Sequence, residues 1–172
     1  MHHSEVLIVG TGIAGLRLAL SLPEQVDVTM ITKRELLDSN TRWAQGGIAA
    51  AWTSEDSWRA HVDDTMIAGA GLCRREIVEF VARNGKQSVE ELIALGVEFD
   101  RRSDDPTRYS LHLEGGHSTK RILHHQDLTG AEIMRALTER VRAAPNIRVL
   151  ERKMAVDVIT EGWLARRQGE LP

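Results

Sequence analysis

The sequence holds a single cysteine, Cys73, in 172 residues. A lone thiol closes no internal disulfide, which excludes a disulfide-stapled secreted scaffold and suits a reducing cytoplasm. The plainest role for Cys73 is that of a small buried side chain. An excess of one charge is also missing: 22 Lys and Arg stand against 25 Asp and Glu, for a net charge of −3. The basic residues are scattered in short pairs such as Arg101-Arg102 and Arg166-Arg167. Nothing electrostatic therefore points to nucleic acid or to an anionic membrane. No apolar run approaches the ~18 residues of a transmembrane helix. No signal-like leader precedes the first strand, and His2-His3 is too short for a tag. Repeats and low-complexity segments are absent. The length suffices for one domain with a core of its own.

Against these absences stands a glycine pattern. Residues 4–15 read Ser-Glu-Val-Leu-Ile-Val-Gly-Thr-Gly-Ile-Ala-Gly. An apolar run, Val6 to Val9, stops at Gly10 and passes through Gly12 and Gly15 into a helical pattern. This is the strand–turn–helix of a dinucleotide-binding βαβ unit. Gly10 permits the tight turn, Gly12 lets a pyrophosphate approach the backbone, and Gly15 lets the helix pack on the strand. Helix amides and the positive dipole end would then face the phosphates.

The rest of the chain predicts an α/β domain. A strand is expected over 5–10, a helix over 13–22 ended by Pro23, and an apolar strand over 26–32. Thr53 and Asp56 have capping-box spacing for a helix reaching Ile67, broken by Gly69 and Gly71. Residues 74–84 and 86–95 read as helical and core-packing, with Gly96 at the C′ position. Val97 to Phe99 is a short strand candidate, and 101–108 a polar loop around Pro106. A helix over 130–143, a turn at Pro145-Asn146 and a strand over 147–151 follow. Val156, Val158 and Ile159 suggest a further strand. The last dozen residues show no usable periodicity.

The nucleotide is open at this point. Where a nicotinamide-binding fold places an acid for the ribose 2′-OH, this sequence has Thr32-Lys33-Arg34. The basic pair could receive an NADP 2′-phosphate, stand beside another dinucleotide, or be solvated. Gly46-Gly47 taken alone could be an ordinary turn.

The stretch Ser39-Asn40-Thr41-Arg42-Trp43-Ala44-Gln45-Gly46-Gly47-Ile48-Ala49-Ala50 resembles the flavin-contacting loop of one flavoprotein group. That group contains L-aspartate oxidase and the flavoprotein subunits of succinate dehydrogenase and fumarate reductase. Within it the resemblance is closest to the oxidase branch. It continues through His61-Val62-Asp63-Asp64-Thr65, Ala68-Gly69-Ala70-Gly71 and Glu114-Gly115-Gly116-His117-Ser118, then Arg121-Ile122-Leu123-His124, Asp127 and Thr129-Gly130.

The resemblance implies a Rossmann-like FAD-binding domain with a parallel sheet, truncated, carrying the start of a helical substrate-side insertion. It covers residues 1–159 and leaves 160–172 as a tail without a clear match. The implied FAD contacts are Gly10, Thr11, Gly12, Ile13, Ala14 and Gly15 in the turn, and Lys33 after the second strand. Asn40, Thr41, Arg42, Trp43, Ala44, Gln45, Gly46 and Gly47 would form the flavin loop, and Met154-Ala155 would meet the adenine side. Asn40 stands where the dehydrogenase and reductase subunits use histidine to attach FAD, so the implied FAD is non-covalent.

Glu114 matches the residue that orients L-aspartate, and a carboxylate there suits the substrate ammonium. A solvated loop carboxylate is the bland alternative. The implied reaction is oxidation of L-aspartate to iminosuccinate, with O₂ or fumarate as acceptor, feeding quinolinate synthase at the start of NAD biosynthesis in the cytoplasm. No metal site is expected: His117, His124, His125 and Asp127 lie close in sequence, but no cysteine pair supports them. Members of the group run to several hundred residues, so this chain resembles an N-terminal portion. A non-catalytic FAD- or ADP-binding remnant and an NADP-dependent reductase are the competing readings.

Overall fold

The computed structural model describes residues 3–168. The first unit follows from the glycine pattern. Strand β1 (Val6–Val9) runs into Gly10, whose φ of +105° is the left-handed conformation that glycine tolerates. Helix α1 (Ile13–Ser21) starts from Gly12 and returns to β2 (Val28–Ile31), which pairs in parallel with β1. A Cβ on Gly15 would overlap the carbonyl oxygen of Gly10 and touch Ile8, so only glycine lets α1 lie this close to β1.

Strand β6 (Ile147–Leu150) completes a parallel sheet of order β1-β2-β6. Between β2 and β6 the chain builds a second layer. A 3₁₀ turn over Asn40–Trp43 leads to β3 (Ile48–Ala49), then α2 (Trp58–Ala68) and α3 (Arg75–Ala94). Strands β4 (Leu111–His112) and β5 (Ile122–Leu123) join β3 in an antiparallel sheet of order β3-β5-β4. Helix α4 (Thr129–Ala143) carries the chain back to β6, and α5 (Glu161–Gln168) follows. Leu16, Met30, Leu123, Met134 and Leu137 are buried in one core reaching from the parallel sheet through α4 to β5. Among the described residues no helix is long and apolar enough to cross a membrane.

Several expectations change. Residues 75–94 form one helix without a break at Gly85. Only part of it packs the core: Ala82, Val89 and Leu92 are buried, whereas Ile77, Phe80 and Val81 are exposed. The cap of α2 is Ser57, whose hydroxyl accepts the Ala60 amide at 3.1 Å, and not Thr53 or Asp56. Val97 and Phe99 are buried, but the segment forms no strand, because Glu98 N donates to the Glu132 carboxylate (2.9 Å) instead of a ladder partner. Val156, Val158 and Ile159 are exposed and pair with no strand. The tail contains α5, which periodicity did not reveal. β1 is an edge strand, with Leu7 58% and Val9 62% exposed.

Candidate functional site

A cleft of about 690 Å³ opens at the C-terminal ends of β1 and β2, where ligands of open parallel sheets bind. Gly10, Thr11 and Gly12 form one wall, and Lys33 and Arg34 extend it past β2. Asn40, Thr41 and Trp43 close one side, and Lys153, Met154 and Ala155 the other. Residues separated by more than a hundred positions therefore share one cavity.

Two observations fit a bound dinucleotide. Thr11 is buried, yet its hydroxyl has no hydrogen-bond partner and lies in the wall of the cleft. A buried polar group without a partner is costly unless a ligand satisfies it. Gly12 adds the second: its nearest neighbour to an added Cβ would be Thr41 Oγ1 at 3.4 Å, so a bare backbone faces the loop. Arg34 is held by Asp38 at 3.0 Å, whereas Lys33 forms no salt bridge among the described residues.

The 40–47 loop is tied down at three places. Thr41 Oγ1 accepts the amide of Ile13, taking one of the free N–H groups of α1 (3.1 Å). The amide of Gly130 donates to the Ala44 carbonyl at 3.0 Å. A Cβ on Gly130 would overlap the Thr41 carbonyl oxygen, so α4 meets the loop only through glycine. At the far end a Cβ on Gly47 would overlap the Leu123 carbonyl oxygen in β5. Of the residues implied for FAD, Ile13, Ala14, Gly15, Arg42, Ala44, Gln45, Gly46 and Gly47 do not line the cleft at the glycine turn.

Gln45 and Gly46 line a second, smaller cleft of about 320 Å³ with Glu114, His112, His124, Gln126 and Asp127. Glu114 Oε1 lies against Gly46, 3.4 Å from where its Cβ would be. One loop thus borders both clefts: Asn40, Thr41 and Trp43 face the glycine turn, and Gln45-Gly46 faces Glu114. His124 is buried and stacks on His112 at 3.6 Å. Its Nδ1 lies 3.2 Å from Asp100 Oδ2 without aligned hydrogen-bond geometry. Burial and the neighbouring His112 lower its pKa against the opposing pull of Asp100. His125 Nδ1 donates to the Glu98 carbonyl (2.9 Å), and His117 Nδ1 accepts from Arg121 (3.1 Å).

Arg121 is a structural residue whose partners sequence reasoning missed. Its side chain is 0% exposed. It holds Asp56 through two hydrogen bonds of 2.9 and 2.8 Å and Asp64 through one of 2.5 Å. Asp64 also accepts the amide and hydroxyl of Ser118, each at 2.8 Å. Burial pushes the Asp64 carboxyl up, but the Ser118 amide, the Arg121 guanidinium and the Ser118 hydroxyl together hold it at about 2. The cluster fastens α2 to the segment just beyond Glu114. His61, packed nearby against His117, has its pKa lowered by burial and by Arg121. The only sequence signal for this cluster was an arginine directly before an apolar strand.

The sequence matches the family described as FAD binding domain over residues 5–168, and the chain belongs to that family. Its cofactor is FAD, which settles the choice between flavin and nicotinamide. Similar proteins are named L-aspartate oxidase. One from Neisseria meningitidis serogroup B is 48% identical over 163 residues, 94% of this chain and 32% of that protein. Another, from Yersinia pestis, is 50% identical over 161 residues, 92% of this chain and 30% of that protein. Among solved structures, the apo Mycobacterium smegmatis Sdh1 complex superposes with a TM-score of 0.80 at 32% identity, covering 88% of this chain and 28% of that one. A quinol-fumarate reductase with menaquinol molecules gives 0.85 at 26% identity, covering 92% and 28%. The chain spans about a third of the length of the curated relatives it matches.

Proposed function

We propose that the chain is the N-terminal FAD-binding part of an L-aspartate oxidase, which oxidises L-aspartate to iminosuccinate. The observation that carries this reading is Glu114 beside Gly46, on the loop whose other end borders the glycine-turn cleft. The bare backbone of Gly10 and Gly12 would take the pyrophosphate, with the Thr11 hydroxyl given a partner. Lys33 and Met154-Ala155 hold the adenosine side, and Asn40 to Gly47 border the flavin. Asn40 offers no imidazole, so the flavin is held without a covalent link. FAD supplies the hydride acceptor for the substrate Cα–H. Glu114 receives the substrate ammonium through charge-assisted hydrogen bonds and so fixes which face of Cα is presented. O₂ or fumarate is the electron acceptor. The product would pass to quinolinate synthase in cytoplasmic NAD biosynthesis.

The test is optical. The purified chain should carry a yellow flavin spectrum that denaturant releases completely, and L-aspartate should perturb it in the parent but not in Glu114→Gln. A colourless protein that binds only ADP would support the non-catalytic remnant instead. Because the relatives are about three times longer, peroxide production at whole-enzyme rates is not expected from this chain alone.

A further inference from the structure

On the other side of β4 lies a third cleft, of about 870 Å³, between Trp52 and the 101–109 hairpin. We propose that it binds a small multivalent anion, recognised through phosphate or carboxylate oxygens.

Charge carries the case. The chain has a net charge of −3, yet this cleft is lined by Arg101, Arg102, Arg108 and Lys120 against Glu55 and Asp104. Three of the four cations sit on one hairpin. Arg101 bridges to Tyr109, and the Arg102 amide donates to the Arg108 carbonyl at 2.9 Å. That bond sets Arg102 and Arg108 opposite each other on the hairpin, where like charges repel unless an anion joins them. The hairpin's own acids do not cancel them all. Asp104 takes Arg102, and Asp105 is turned onto the Thr107 amide and hydroxyl, at 3.0 and 2.6 Å. Arg101 is fixed by the Tyr109 hydroxyl (3.0 Å) and the Thr107 carbonyl (3.1 Å). Arg108 and Lys120 form no salt bridge among the described residues; Arg108 acts on Asp105 only through its longer-range charge.

The aromatic rings serve as walls. Arg101 covers Tyr109 at 3.9 Å, and Trp52 has Tyr109 at its edge (5.3 Å) and Lys86 over its ring (5.5 Å). Recognition therefore falls to the cations and to hydroxyls such as Ser103 and Thr119, not to ring stacking.

This cleft also touches the one that holds Glu114. Ser110 lines the anion cleft, and its hydroxyl lies 3.3 Å from Nε2 of His124, which lines the other. Leu111 and His112, adjacent in β4, border opposite clefts. Occupancy of the anion cleft is thus felt at His124. The meaning of that link for aspartate rests on the function proposed above; the anion site does not.

Calorimetric titration of the full chain, saturated with FAD so that the glycine turn is filled, decides the matter. Inorganic pyrophosphate and citrate are the two probes. One saturable site is expected, weakened at least ~tenfold by Arg108→Glu with Lys120→Glu. A pyrophosphate-only response makes phosphate compounds the ligand, and a citrate-only response makes it polycarboxylates. Absence of saturable binding, or equal affinity in the charge-reversed chain, overturns the site. If that variant fails to fold, Arg108→Gln with Lys120→Gln decides by the same loss of affinity. Flavin binding is read separately from the visible spectrum, so its failure counts against the proposed function alone. The His124 ring resonances should shift with the bound anion in the parent and not in Ser110→Ala. Unmoved resonances in the parent would break the link.

Discussion

The β1-β2-β6 sheet and the β3-β5-β4 sheet each border a cleft, and they hold it open by different means. The parallel sheet uses backbone: Gly10 at positive φ, Gly15 under its carbonyl, and Ile8, Val28 and Met30 buried in the core. The antiparallel sheet has only two residues per strand, too few to specify itself. It depends on buried charge, with Arg121 joining Asp56 and Asp64 from α2 and its approach. A phosphate-binding turn can be assembled from local conformation. The segment beside Glu114 needs partners brought from far along the sequence.

The sharpest way to break this comparison is at Arg121. Arg121→Met leaves two carboxylates unpaired, and a loss of about 3–5 kcal/mol is expected. Urea unfolding would measure it, and a loss below about 1 kcal/mol would remove the contrast between the sheets. On the backbone side, Gly15→Ala drives a methyl into the Gly10 carbonyl and should cost about 1–3 kcal/mol together with the flavin spectrum. Gly130→Ala should displace Thr41 and Ala44, so flavin retention falls further than stability does.

A smaller effect is the acid limb. The Asp64 carboxyl is held at about 2, below its ordinary 3.8, so its contribution is complete above the ordinary value and is lost as pH falls towards 2. Melting temperature followed over that window should fall, and the fall should flatten in Asp64→Asn. The smallest expected change is in the stability of Glu114→Gln, within about 0.5 kcal/mol because the side chain is exposed. The same variant should lose its spectral response to aspartate, which separates a binding role from a structural one.

The glycine turn was legible in sequence because its requirements are local. Gly10 and Gly15 each answer a constraint set within seven residues, and the structure shows both directly, whereas Gly12 faces Thr41 from far along the chain. The resemblance also singled out Asn40, Thr41, Trp43, Met154 and Ala155, which the fold gathers around one cleft. Periodicity failed where tertiary partners overrode local grammar. Asp56 has capping-box spacing from Thr53, but its carboxylate is taken by Arg121, 65 positions later, and Ser57 caps α2 instead. Val97–Phe99 is apolar enough for a strand, yet the Glu132 carboxylate, the Leu92 carbonyl and the His125 ring satisfy its backbone without a ladder.

By itself the sequence determined the βαβ unit, its glycine turn and the apolar strands of the parallel sheet, since these depend on backbone sterics and on a repeat of two or of 3.6 residues. Only the tertiary structure decided that the 40–47 loop would bridge two clefts, that Glu114 would lie at Gly46, and that Arg121 would be spent on Asp56 and Asp64. Those outcomes depend on which distant charges and carbonyls meet once the core has closed, and no local spacing encodes such a meeting.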